Sequence, residues 1–195
     1  SRFNNSKISK ILQVGADING EAANDNSGYS VSLSSDGSRV AIGALGNDGN
    51  GTASGHVRIY QYNNNSWSQL GADIDGEALG DYSGASVSLS SDGSRVAIGA
   101  IANDGGGNKS GHVRIYQYNN NSWSQLGADI DGEDSGDESG YSVSLSSDGS
   151  RLAIGGYLND GNGSSSGHAR IYDYNGSAWV QVGADIDGEA ALDRS

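Results

Sequence analysis

The sequence predicts an all-β protein made of tandem four-stranded antiparallel blades, and three observations predict it. The segment Gly-Ala-Asp-Ile recurs at Gly15, Gly71, Gly127 and Gly183, 56 residues apart each time. Residues 28–83 and 84–139 are identical at 47 of 56 positions without a gap. Within a unit, short runs of alternating small polar and apolar residues are punctuated by Gly, Asn and Asp, and no helical period appears. The chain divides into a half unit, 1–27, and three whole units, 28–83, 84–139 and 140–195. The half unit corresponds to the third and fourth strands of a blade.

The unit 28–83 gives the elements in order. Ser30-Val31-Ser32-Leu33-Ser34 alternates and reads as a first strand. Asp36-Gly37 then marks a hairpin, because glycine adopts the positive φ that such a turn needs. Arg39–Ala44 reads as a second strand, residues 45–55 as a Gly/Asn/Asp loop and His56–Tyr62 as a third strand. Asn63–Ser66 is a turn, Trp67–Ile74 a fourth strand and residues 75–83 an acidic connection. Such a meander cannot bury both faces alone, but stacked copies can. The first two strands carry Ser, Val, Ala, Gly and Ile, and the last two carry Tyr, Arg, Trp and Leu. That taper suits a wedge, narrow at an axis and wide at a rim, as in a β-propeller blade. A parallel solenoid has a constant cross-section and ranks second.

The set SVSLS-SDG-SRVAIGA, GHVRIYQY and W-x-QLGADIDGE resembles the FG-GAP-like repeat, which builds the β-propeller of integrin alpha subunits and of many surface proteins. The resemblance covers the whole chain. It implies a propeller, an extracellular or cell-surface location and a structural or adhesive role. Two departures stand out. The family's Phe-Gly opening is Ser27-Gly28, Ser83-Gly84 and Ser139-Gly140 here. The calcium loop that many members carry in the first hairpin is reduced to Ser-Ser-Asp-Gly-Ser around Asp36, Asp92 and Asp148. One carboxylate cannot supply the several oxygens that Ca²⁺ requires. Three and a half blades fall short of the four to eight that close a propeller. The chain is therefore expected to belong to a longer array or assembly, with self-association or further repeats as its partners. The lack of a signal peptide and of an initiator Met likewise reads as a piece of a longer product.

Composition narrows the function. The net charge is −13, which argues against nucleic acid and anionic membranes as partners. There is no Cys, hence no disulfide, thiolate metal site or cysteine nucleophile. No apolar run approaches a membrane span.

The acidic connection is the leading candidate site. Asp73, Asp75, Glu77 and Asp81 recur as Asp129, Asp131, Glu133 and Asp137, and as Asp185, Asp187, Glu189 and Asp193, with Asp17, Asn19, Glu21 and Asp25 in the half unit. Carboxylates so spaced on a Gly-containing loop can converge on Ca²⁺; the competing reading is a solvated acidic turn that maintains solubility. Asn47-Asp48-Gly49 and its copies at Asn103 and Asn159 read as turns. His56, His112 and His168 open the third strands and suggest a repeated buried hydrogen bond between blade and loop. Trp67, Trp123 and Trp179, with Ile11 in the matching place, suggest packing between blades at the rim, with sugar stacking as the alternative. Glycosylation sequons stand at Asn4, Asn50, Asn64, Asn108, Asn120, Asn162 and Asn175, all in expected turns.

No unique catalytic set stands out from the repeat, and an active site needs several different groups converging once. The expected function is non-enzymatic: an extracellular or cell-surface propeller protein with a structural or adhesive role and no required cofactor beyond possible Ca²⁺. A lectin-like module with one carbohydrate site per blade is the alternative.

Overall fold

The computed structural model describes residues 12–194. These contain no helix and form three five-stranded antiparallel sheets. The first comprises β1 (Ser30–Leu33), β2 (Arg39–Ala44), β3 (His56–Asn63), β4 (Ser66–Gln69) and β5 (Ile74–Asp75). The second comprises β6 (Ser83–Leu89), β7 (Arg95–Ala100), β8 (His112–Asn119), β9 (Ser122–Gln125) and β10 (Ile130–Asp131). The third comprises β11 (Ser142–Leu145), β12 (Arg151–Gly156), β13 (His168–Tyr174), β14 (Trp179–Gln181) and β15 (Ile186–Asp187).

The expected fourth strand is broken in two. β4 and β5 both pair with β3, β4 opposite Tyr60–Asn63 and β5 opposite His56 and Val57. Gly71, at φ +81°, turns the chain out of the ladder between them. A Cβ there would also lie 2.8 Å from the Trp123 ring of the next blade. The repeated glycine thus serves both the break and the close approach. In the half unit, residues 12–27 are not strand, and its expected third strand lies largely in 1–11, outside the described residues, as does Ile11.

The hairpin signal holds: Gly37, Gly93 and Gly149 have φ of +70°, +65° and +67°. Asp36 organises the loop by accepting from Ser38 N–H at 2.9 Å and Ser34 Oγ at 2.7 Å. These bonds hold its carboxyl down at about 2. The first strand touches its copies in neighbouring sheets, β1 against β6 and β6 against β11, which puts the small-residue strands innermost. The taper is therefore radial, and these are blades of a β-propeller.

Each blade buries one face against the next copy. One cluster joins Ala41, Val57, Ile59 and Ile74 of the first blade to Leu89, Val96 and Ile98 of the second. The second cluster repeats it with Ala97, Val113, Ile115 and Ile130 against Leu152, Ile154 and Tyr172. The period-2 alternation of the strands sets this: odd positions of β3 meet one neighbour and even positions the other. Leu89 is 7 % exposed, whereas its copy Leu33, with no sheet on its outer side among the described residues, is 60 % exposed.

Polar bonds follow the same period. Ser30 Oγ donates to Gly84 O at 2.7 Å and Ser86 Oγ to Gly140 O at 2.6 Å. Ser35 N–H reaches Ser91 O, and Ser91 N–H reaches Ser147 O, both at 2.8 Å. Arg39 donates to Gly93 O at 3.0 Å and lies over the Tyr118 ring; Arg95 repeats this with Gly149 and Tyr174.

Candidate functional site

The junction between blades collects the repeated polar side chains. β3, β8 and β13 each begin with His, whose side chain is 1 % exposed in all three copies. Two residues on, Arg58, Arg114 and Arg170 are buried too. Each arginine reaches back to the preceding acidic connection: Arg58 donates to Asn19 O, Arg114 to Asp75 O and Arg170 to Asp131 O, at 2.7–2.8 Å. Each also faces a glutamate there, Glu21, Glu77 or Glu133, at 3.4–3.5 Å.

Among the described residues, the expected hydrogen bond is not made by either nitrogen of His168, nor by Nε2 of His112. The rings instead turn Nδ1 toward carboxylates. Nδ1 of His56 is 3.8 Å from both Glu21 and Asp73. His168 is 4.0 Å from Glu133 and 3.7 Å from Asp185. His112 is 3.9 Å from both Glu77 and Asp131. These separations are too long for hydrogen bonds. Burial, with Arg114 beside it, lowers the His112 pKa below the ordinary value against the pull of Asp129 and Glu77.

The four acidic positions of one connection thus go to different places. Glu77 joins His112 and Asp129 of the next unit, and Glu133 joins His168 and Asp185; Glu21, His56 and Asp73 form the first such set. The second oxygen of the aspartate is held by a glutamine four residues earlier: Gln69 on Asp73, Gln125 on Asp129 and Gln181 on Asp185. Asp75, Asp131 and Asp187 stand opposite the histidine or beside the Asn-Asp-Gly loop, near Gly49, Gly105 and Gly161. Asp81 is buried and accepts from Ala78 N–H and Asn103 Nδ2, both at 3.0 Å. Asp137 repeats this with Asp134 N–H and Asn159, and Asp25 with Ala22 N–H and Asn47. Asp193 keeps the local bond, from Ala190 N–H, and is exposed. Glu189, in the last connection, is exposed. The Asn-Asp-Gly loops are turns whose asparagine doubles as the tie to the preceding connection.

The tryptophans pack at the rim between blades, with the indole N–H consumed. Trp67 donates to Val14 O at 3.0 Å, Trp123 to Leu70 O at 2.7 Å and Trp179 to Leu126 O at 2.8 Å. Beside Trp123 and Tyr116 runs a groove of about 220 Å³ walled by Asp73 and Asp75; Trp67, Tyr60, Asp17 and Asn19 wall its copy.

Among the sequons, Asn64, Asn108, Asn120 and Asn175 are exposed. Asn50 is also exposed, but its Nδ2 donates to Gly76 O and Glu77 O at 2.9 Å, and Asn162 does the same to Gly188 and Glu189. A glycan on either would displace one of these donors. Asn4 lies outside the described residues.

Sequence reasoning missed the arginines and the pairing of one unit's glutamate with the next unit's histidine. The signal was present: Glu, His and Asp stand 35 and 17 residues apart in all three copies.

Residues 19–60 match the family model of the FG-GAP repeat. That segment is similar to an FG-GAP repeat, and the chain has a β-propeller fold. No curated protein matches the sequence. Among solved structures, a Bacteroides uniformis protein proposed to be a 6-phosphogluconolactonase aligns at TM-score 0.56 and 15% identity, covering 85% of this chain and 42% of its own. Hydrazine synthase from Kuenenia stuttgartiensis aligns at 0.52 and 12%, covering 89% and 39%. Sqt1 from Saccharomyces cerevisiae aligns at 0.53 and 10%, covering 86% and 38%. The chain therefore spans about two fifths of the length of these structures, and at such identity the likeness is one of fold alone. No helix among the described residues is long and apolar enough to cross a membrane.

Proposed function

We propose that this protein is a non-enzymatic extracellular or cell-surface scaffold with a structural or adhesive role, acting within a longer array or assembly of blades. One observation carries the reading: the chemically capable side chains are the same in every blade and are directed into the joints between blades. An enzyme concentrates different groups at one place. Here Arg, His, Asp and Trp recur at each junction and link consecutive units. FG-GAP repeats are typical of extracellular proteins, which supports the location. The exposed sequons Asn64, Asn120 and Asn175 are compatible with glycosylation there. Labelling of intact, unpermeabilised source cells with an antibody to the repeat tests this. Surface staining, with adhesion lost on antibody blocking, supports the proposal; staining only after permeabilisation overturns it.

A second reading, carbohydrate binding, is favoured by the groove of Trp123, Tyr116, Asp73 and Asp75 and its copy at the preceding junction. Aromatic rings with adjacent carboxylates suit a sugar, stacking on its face and accepting from its hydroxyls. A glycan array returning a saturable hit that is lost in Asp73→Ala supports this reading, and a blank array rejects it.

A further inference from the structure

We propose that each blade junction holds a divalent transition-metal ion of the zinc class between His Nδ1, the aspartate of the same unit and the glutamate of the preceding unit. The three sites are Glu21–His56–Asp73, Glu77–His112–Asp129 and Glu133–His168–Asp185, whose donor atoms lie within 4.8 Å of one another in each case.

The carboxylates alone would carry nothing; the histidine does. His168 is 1 % exposed, neither ring nitrogen has a hydrogen-bond partner, and Nδ1 points between Glu133 and Asp185. Leaving a buried polar atom unpaired is costly, and an ion on Nδ1 removes that cost. The donor spacing is also suitable. Two ligands each about 2.1 Å from a shared zinc ion stand roughly 3–4 Å apart, and Nδ1 stands 3.7–4.0 Å from both carboxylates in the first and third sites. In the second, Nδ1 is 3.9 Å from Glu77 and equally far from Asp131, with Asp129 within 4.8 Å.

The outer contacts orient the donors as metal ligands are usually oriented. Arg170 Nη1 faces Oε1 of Glu133 and leaves Oε2 toward the ring; Arg58 and Arg114 do the same for Glu21 and Glu77. Gln181 holds Oδ1 of Asp185 and leaves Oδ2 toward His168, as Gln69 does for Asp73. The glutamates are nearly half exposed, so an ion has a route in. An imidazole donor selects zinc-like ions over Ca²⁺, which takes oxygen ligands. Because glutamate and histidine belong to adjacent units, the ion would clip blade to blade.

The test is calorimetric titration of the chelator-stripped protein with ZnCl₂, with CaCl₂ and MgCl₂ in parallel. The expected result is saturable zinc binding at three ions per chain, at least tenfold tighter than either other ion, with a raised unfolding midpoint. Glu77→Gln, isosteric and on the exposed side, should reduce the stoichiometry from three to two, and the midpoint in chelator separately reads the loss of its ion pair with Arg114. His112 ¹⁵Nδ1 should shift on zinc addition in the wild type and not in Glu77→Gln. No saturable zinc binding, stoichiometry unaffected by Glu77→Gln, or preference for Ca²⁺ would each overturn the proposal.

Discussion

Asp81→Ala measures what one tie between blades contributes, and Asp193→Ala supplies a control within the same chain. Asp81 is 4 % exposed and accepts two bonds, one from Ala78 N–H within its own connection and one from Asn103 Nδ2 of the next unit. Asp193 is the same residue of the repeat, is exposed, and among the described residues accepts only from Ala190 N–H. A hydrogen bond to a charged group contributes about 1.5–3 kcal/mol, and stranding a buried donor adds to the loss. Asp81→Ala removes the acceptor from the buried Asn103 amide as well as from the backbone, so a cost of about 3 kcal/mol is expected. Asp193→Ala loses one solvent-accessible local bond and is expected to cost about 1 kcal/mol or less. Urea unfolding followed by tryptophan fluorescence gives both values. Amide exchange at Gly105, whose N–H binds Asn103 Oδ1, localises the effect. Equal costs for the two variants, or a cost for Asp81→Ala below about 0.5 kcal/mol, would refute the assignment of this carboxylate to the joint.

The remaining expectations concern packing, backbone and pH. Leu89→Ala should cost about 2–4 kcal/mol by opening a cavity, whereas the exposed copy Leu33→Ala should cost under about 1 kcal/mol, both read from urea unfolding. Gly99→Ala should destabilise by roughly 3 kcal/mol, since its Cβ would fall 2.1 Å from Gly140 O of the next blade; Gly155→Ala, which meets only Ser142, should be milder in the same assay. Stability should fall on acidification below about pH 6.5, because the lowered His112 pKa makes the unfolded chain take up the proton first. That contribution is present above the unfolded value and lost below it, and His112→Gln should remove it from the pH dependence of the unfolding midpoint. Asp36, held down at about 2, should add a second loss between about pH 4 and pH 2 that Asp36→Asn abolishes.

The fold was largely legible because each blade repeats the same local instructions. Alternation in Ser-Val-Ser-Leu, the Asp-Gly hairpin and the small-to-large gradient all specify one sheet, and the exact period specifies its stacking. The break at Gly71 was hidden, because the apolar residues Leu70 and Ile74 continue the strand pattern across it. The site was legible only in part. The acidic connection was visible, but proximity in sequence suggested that Asp73, Glu77 and Asp81 converge. Propeller geometry instead passes Glu77 to the following blade and buries Asp81 against Asn103. Likewise, a histidine at a strand start suggested a hydrogen bond, whereas the buried ring faces carboxylates at non-bonding distance. Such pairings depend on which copy lies beside which, and that is a tertiary property.

Deleting residues 84–139 tests most directly the claim that every unit presents one face to its successor and the other to its predecessor. Gly140 would then follow Ser83, Leu145 and Ile154 would cover Ile59, and Trp179 Nε1 would donate to Leu70 O. The account predicts that far-ultraviolet ellipticity per residue is unchanged and that the Trp179 indole N–H remains protected from exchange. Loss of the sheet signal, or free exchange of that indole proton, would contradict it.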